Sequence, residues 1–417
     1  MALSPLELVR EEVSKCNRCG ICQTACPVYQ VTRRESSSAR GHHYQIRSIL
    51  EGRLELDDEL HRPLSECLLC RACVPQCFAK VQTDQVVAAG RQSLAAHGGR
   101  IRVLPSLLRG ILMNPRRMSR YVALLTLMKK AGLSRIAGLA GNRAARAAEL
   151  LPGPKGKPLQ ERIEGLSLAP ARPLARVIYF MGCGSNYLLP DTGEATIRVL
   201  VGRGYVVEVV RNYCCGLPLY VQGDMVTARR LARGNLRLLK HERVDAVVTD
   251  CASCSSFLKG YSSLLADDRK FGEAASRLAA KALDITEILS RPGPQETLSE
   301  LPLSVTYHDP CHASRYQGLR EEPRAILRSI PGVTLVEMEE ADWCCGGAGA
   351  YSFTQPDLAQ KILDRKIDNV ARTGAQALVT SCPSCMIHLA YGVRRRGLPV
   401  RVLHLTQVLE MARQGGS

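Results

Sequence analysis

Residues 249–254 read TDCASC and residues 380–385 read TSCPSC, and each string closes a set of five cysteines laid out on one plan. The first set is Cys183, then the adjacent pair Cys214 and Cys215 followed by Gly216, then Cys251 and Cys254. The second is Cys311, then Cys344 and Cys345 followed by Gly346, then Cys382 and Cys385. Corresponding cysteines lie 128 to 131 residues apart, so two units of similar size repeat one design. Adjacent cysteines followed by glycine make a tight turn that aims two sulfurs at one point, and the missing side chain leaves space beside them.

The residues around these sets predict a parallel α/β arrangement written twice. VIYFMG leads to Cys183, YVVEVV to Cys214 and VDAVVTD to Cys251, with helical stretches expected over 191–203 and 224–241. In the second copy SVTYHD runs to Cys311, VTLVEM approaches Cys344, AQALVTS ends at Cys382, and PVRVLHL adds a last strand. Each cysteine group thus falls past the carboxyl end of a strand, the edge at which parallel sheets place their ligand sites. Gly182-Cys183-Gly184 lacks the third glycine of a dinucleotide loop, and no Walker loop or nucleophile elbow occurs elsewhere.

Upstream, after a short helix expected over 4–15, CNRCGICQTACP places Cys16, Cys19, Cys22 and Cys26 in C-x2-C-x2-C-x3-C with Pro27 following. The run returns as Cys67, Cys70, Cys73 and Cys77. In this ferredoxin spacing the fourth cysteine of each run serves the other run's cluster, because three closely spaced thiolates wrap three corners of a cube and the fourth corner needs a more distant ligand. One 4Fe–4S cluster is therefore assigned Cys16, Cys19, Cys22 and Cys77, and the other Cys67, Cys70, Cys73 and Cys26. Phe78 stands where proline usually follows the last cysteine, which alters the turn but removes no ligand. Between the runs a helix with apolar positions Tyr44, Ile46, Ile49 and Leu50 is expected, with His42 and His43 as surface or packing residues.

Composition sets the class. The chain has 417 residues, 46% hydrophobic and 23% charged, which fits a folded globular protein of several domains. MALSPLELVREEVSK places acidic residues where a secretory signal has its apolar core, so a cytoplasmic location is expected. Eighteen cysteines in a reducing compartment read as metal ligands rather than disulfides, and two sets of four with two sets of five use every one. Residues 100–149 hold eleven Arg or Lys against one acid, Glu149. No uncharged run there approaches the ~20 residues of a membrane span. The zone is expected either to cover the fold as solvated helices or to meet an acidic partner or the inner face of a membrane, as a peripheral contact. No nucleic-acid motif accompanies it. Four regions are expected: a dicluster domain over 1–95, a basic segment and linker over 96–174, and two cysteine-rich domains over 175–296 and 297–417.

The double ferredoxin run with two Cys…Cys-Cys-Gly…Cys-x-x-C repeats resembles the iron–sulfur subunits of glycolate oxidase and its relatives in heterodisulfide reductase, anaerobic glycerol-3-phosphate dehydrogenase and lactate-utilisation complexes. SSARGHHYQIRSILEG, YHDPCHASRYQG, WCCGGAGAY and SCPSCMIHLAYGVRRRG are similar to the glycolate-oxidase type in particular. The resemblance covers nearly the whole chain. It implies a helical dicluster ferredoxin domain followed by two tandem α/β domains, and an oxidoreductase complex subunit with no flavin of its own. Its electrons would come from a flavin-binding dehydrogenase partner that oxidises a 2-hydroxy acid, and leave to a quinone or another acceptor. The five-cysteine sets add one or two further iron–sulfur clusters, non-cubane in heterodisulfide reductase. Because all ten positions are filled, reduction of a disulfide at such a cluster is the alternative. His308, Asp309, His312, Asp342 and Trp343 flank the second set and serve either as caps and packing residues or as suppliers of protons or hydrogen bonds that tune a cluster's potential.

Overall fold

The computed structural model describes residues 4–97, 109–130, 149–150, 152–153, 156–166, 168–239, 243–294 and 297–414. Its centre is a pair of four-stranded sheets in which every paired strand is parallel. The first contains β1 (Ala175–Phe180), β2 (Tyr205–Val210), β3 (Ala246–Thr249) and β4 (Ala282–Asp284), in the order β2-β1-β3-β4. The second contains β5 (Leu303–Tyr307), β6 (Val333–Leu335), β7 (Ala377–Thr380) and β8 (Arg401–His404), in the order β6-β5-β7-β8. Val177 to Phe180 and Ala377 to Val379 are fully buried, as expected of parallel strands covered by helices on both faces.

Strand β4 is the element that periodicity missed. It is three residues long and sits between helices Gly272–Lys281 and Ile285–Leu289, so its apolar residues read as helix. Its one local mark is the capping box formed by Asp284 and Glu287, which starts the next helix. The expected helices at 191–203 and 224–241 are Pro190–Gly202 and Met225–Leu238.

The two repeats share their cores. One buried cluster joins Val177 and Tyr179 of the first sheet to Val305 and Tyr307 of the second. Thr196 Oγ1 lies 3.0 Å from Thr406 Oγ1, and Ala252 N donates to Ser381 O at 3.3 Å. The counterpart of Ala252 is Pro383, which has no N–H to return that bond to Asp250 O. His404 Nε2 donates to Asp250 O instead, at 2.9 Å, and Nδ1 accepts from Thr406 N.

The N-terminal module is helical. The expected helix over 4–15 is a 3-10 turn, Glu7–Val9, followed by an α-helix, Arg10–Ser14. Helix Ala39–Leu50, capped by Ser38, packs on helix Thr83–Ala96. Its inward face carries His42, His43 and Ile46, so both histidines are packing residues, whereas Tyr44 is 48% exposed. Of the basic zone, residues 100–108 and 131–148 lie outside the described residues. Helix Pro115–Lys130 is described, and Leu112 and Met118 beside and within it seat the segment on Leu219, Leu231 and Cys214 of the first repeat. Tyr121, Leu124 and Leu127 of that helix are exposed. No helix among the described residues is long and apolar enough to cross a membrane.

Candidate metal centres

The two cysteine runs of the N-terminal module curl in the same way. Arg18 and Gly20 of the first, and Leu69 and Arg71 of the second, all have positive φ. Left-handed backbone costs a side-chain-bearing residue about 1–2 kcal/mol, so Leu69 and Arg71 are held there by their surroundings. In the second run the curl turns Leu69 N toward Cys67 Sγ at 3.4 Å, and in the first Cys26 Sγ caps helix Pro27–Thr32 by accepting from Tyr29 N at 3.5 Å. The thiols fall into two groups. Burial raises Cys22, and the neighbours whose charges repel it are Cys16, Cys19 and Cys77. Burial likewise lifts Cys26 to about 12, and its repelling neighbours are Cys70 and Cys67 of the other run. Cys73 is raised by burial and faces Cys70, Cys67 and Cys26.

The ten thiols of the two repeats converge from strand ends. Cys183 follows β1, Cys214 and Cys215 follow β2, and Cys251 follows β3, while the edge strand β4 contributes none. The second sheet repeats this with β5, β6 and β7. Gly216 (φ 104°) and Gly346 (φ 81°) make the turns after the cysteine pairs, and a Cβ on Gly346 would stand 2.8 Å from Ala359 O. The glycines beside Cys183 serve close approach: a Cβ on Gly182 would sit 3.6 Å from Cys254 Sγ, and one on Gly184 would sit 2.9 Å from Pro383 Cβ of the other repeat.

One cavity of about 370 Å³ is lined by Cys67 and by nine of the ten thiols, the exception being Cys382. Cys382 Sγ lies 4.0 Å from Cys251 Sγ. Neighbouring thiols interact in sequence. Cys183 interacts with Cys214, Cys214 with Cys215, Cys215 with Cys254, and Cys254 with Cys251. Across the pair with Cys382 the line continues through Cys385 and Cys345 to Cys344, which meets both Cys311 and Cys70. Cys215, Cys345 and Cys382 are held well below the ordinary thiol value because each is hydrogen-bonded by two neighbouring thiols. All eighteen cysteines are free thiols. Soft donors crowded at this density in a buried cavity, with backbone N–H groups turned to the sulfurs, fit iron–sulfur clusters.

Sequence reading missed the buried cations that hold these parts together. Arg91 donates to Leu64 O and Cys67 O at 2.6 and 2.5 Å and to Val221 O of the first repeat at 2.6 Å. Arg315 donates to Cys70 O at 3.2 Å, and Tyr316 OH to Leu69 O at 2.8 Å, so the second repeat grips the second cysteine run. Lys366, fully buried, donates to Glu340 O at 2.5 Å and Ala341 O at 3.1 Å; burial lowers it to about 8. For Arg91 and Lys366 the signal is a charged residue at an inward position of a helix, whereas Arg315 lies just past helix Cys311–Ser314.

Of the flanking residues, Asp309 forms a buried bidentate pair with Arg324 at 2.9 and 3.0 Å. His312 Nδ1 lies 2.6 Å from Ser256 Oγ. Trp343 Nε1 donates to Ile362 O at 3.0 Å, and Asp342 pairs with Arg315 at 3.3 Å. His308 differs: it is 1% exposed, and neither ring nitrogen has a hydrogen-bond partner.

Fold and site together define an iron–sulfur protein with an N-terminal dicluster module and a pair of cysteine-rich α/β domains. A 4Fe-4S dicluster domain family matches residues 12–81, and a cysteine-rich domain family matches residues 177–259 and again 305–390. The chain is 32% identical to the "Probable glycolate oxidase iron-sulfur subunit" of Bacillus subtilis (strain 168), over 95% of this chain and 93% of the relative. It is 28% identical to the "Glycolate oxidase iron-sulfur subunit" of Escherichia coli (strain K12), again over 95% and 93%. One subunit of the fumarate reductase (CoM/CoB) of Methanothermobacter marburgensis is 35% identical over 58% of this chain and 47% of its own length. The chain belongs to the family of glycolate oxidase iron–sulfur subunits.

Proposed function

We propose that this chain is the electron-transfer subunit of a flavin-dependent 2-hydroxyacid dehydrogenase complex of the glycolate or lactate type. A flavin-binding partner oxidises the hydroxy acid to the oxo acid, releasing two electrons and two protons. The clusters of this chain take the electrons singly and pass them to a quinone or another acceptor. The observation that carries the reading is the unbroken run of thiols from the cysteine-rich repeats to Cys70. Clusters held by neighbouring thiols would stand close together, and electron tunnelling falls steeply with distance.

In this reading Cys16, Cys19, Cys22 and Cys77 hold one 4Fe–4S cluster and Cys67, Cys70, Cys73 and Cys26 the other. The five-cysteine sets hold one further cluster each. Cys70 beside Cys344 links the second repeat's set to the second cysteine run, and Cys382 beside Cys251 leads on to the first repeat's set. The outer end of the path is the cluster at Cys19, which is exposed; Phe78, directly after Cys77, is 85% exposed beside it. A partner docks there.

The cavity between the two five-cysteine sets favours a second reading, in which a disulfide is reduced there by two electrons and two protons to two thiols. One experiment separates the two. The chain, prepared anaerobically, is mixed with a hydroxy acid, with and without the flavoprotein that co-purifies with it. Bleaching of the cluster absorbance only when the flavoprotein is present supports the first reading. Turnover of the hydroxy acid by the chain alone overturns it, and disulfide-dependent reoxidation of the reduced chain favours the second.

A further inference from the structure

The two five-cysteine sites share a plan but not a donor set. Three residues before Cys183 stands Phe180, fully buried; three residues before Cys311 stands His308. A ligand nitrogen of His308 and the sulfurs of Cys345 and Cys385 lie within 4.8 Å of one another, all three residues being buried. Ligand atoms bonded to one tetrahedral metal at about 2.0–2.3 Å stand about 3.5 Å apart, so a small inward shift brings these three onto one ion.

The hydrogen-bond count points the same way. A buried neutral imidazole offers one N–H and one lone pair, and leaving either without a partner costs about 1–3 kcal/mol. Burial keeps His308 neutral, pushing it down to about 3. The N–H can face a sulfur, but the lone pair needs an electrophile. Of the charged groups around the ring, Asp309 is paired with Arg324. Lys366 is spent on Glu340 O and Ala341 O, and Arg315 on Cys70 O and Asp342 O. His312 Nδ1 faces Ser256 Oγ and His388 Nδ1 faces Cys345 O, so neither neighbouring histidine is open on both nitrogens as His308 is.

We infer that His308 is a nitrogen ligand to iron in the second five-cysteine site, which makes that centre a mixed thiolate–imidazole site and the first an all-thiolate one. The inference rests on the proposal that the second set holds a cluster. All five thiolates of the second set remain beside His308, so the imidazole adds a neutral donor to the site rather than replacing a thiolate.

The test uses the full chain, loaded anaerobically, with and without nitrogen-15 histidine. The paramagnetic signal that Cys385→Ser abolishes is examined by pulsed resonance for nitrogen coupling. The expected result is a coupling of directly bonded size that changes with the isotope, persists in His388→Gln and His312→Gln, and is lost in His308→Phe. His308→Cys keeps the iron content but loses the nitrogen coupling. A loaded centre without histidine coupling in the parent protein, or coupling that survives His308→Phe, overturns the ligand assignment alone. No iron-dependent signal sensitive to Cys385→Ser overturns the cluster proposal and the ligand with it.

Discussion

The Sγ atoms of Cys251 and Cys382 lie 4.0 Å apart, and they are the same residue of two copies of one sequence plan. Corresponding residues meet only near the axis that relates the copies. The two five-cysteine sets therefore adjoin across that axis, and both line the shared cavity. Replacing Cys251 with Ser is expected to alter the resonance signals of both repeats' centres while leaving the two ferredoxin-type signals in place. A change confined to one centre, in spectra resolved by redox titration, counts against contact between them.

Cys26 belongs by sequence to the first run, but the thiols whose charges repel it are Cys70 and Cys67 of the second. Cys26→Ser is expected to damage the cluster held by Cys67, Cys70 and Cys73. Spectra in which only the cluster of Cys16, Cys19 and Cys22 is lost contradict the exchange.

Gly346 has φ 81°, and a Cβ there would stand 2.8 Å from Ala359 O. Gly374 has φ 64° with nothing within 4 Å of its Cβ position. Gly374→Ala isolates the left-handed backbone cost of about 1–2 kcal/mol. Gly346→Ala adds the clash and shifts the turn that carries Cys344 and Cys345. It is expected to lower the unfolding temperature further than Gly374→Ala and to lose iron, measured by thermal denaturation and metal analysis; equal effects of the two substitutions contradict this.

Asp284 is fully buried and accepts from Thr286 N, Thr286 Oγ1 and Ser255 Oγ at 3.0, 2.8 and 2.9 Å. Burial raises it from 3.8 to about 6. Between those values the folded chain binds more protons than the unfolded one. The group's contribution to stability is therefore full below about pH 4 and falls as pH rises through 6. Asp284→Asn cannot ionise, so its stability relative to the parent is expected to improve by about 2 kcal/mol between pH 4.5 and pH 7. Denaturation of both proteins at the two pH values measures this, and a constant difference refutes it.

In helix Pro115–Lys130, Arg117 and Arg120 are exposed together with Leu124 and Leu127. A basic residue near an anionic surface contributes about 1 kcal/mol, fading over a Debye length of about 8 Å at physiological salt. High salt, or charge reversal of Arg116, Arg117, Arg120, Lys129 and Lys130 to Glu, is expected to release the chain from anionic vesicles without loss of iron. Unchanged co-sedimentation makes the segment a cover for the first repeat only.

The sequence by itself determined the repeat, the parallel strands and the positions of all eighteen cysteines, because these are local matters. A buried parallel strand must be an apolar run, as Val177 to Phe180 is, and the two ferredoxin-type runs set their cysteines at short, regular spacing. It did not determine β4, whose three residues lie inside a helical pattern. Nor did it show that the second repeat, rather than the first, meets Cys70 through Cys344, Arg315 and Tyr316. His308 and Phe180 occupy equivalent places in the two copies, and only the packed structure shows the imidazole buried beside Cys345 and Cys385 with both nitrogens unpartnered. Such contacts join residues far apart in the chain. They are fixed by the packing of whole sheets and helices against one another, which spacing along the sequence does not encode.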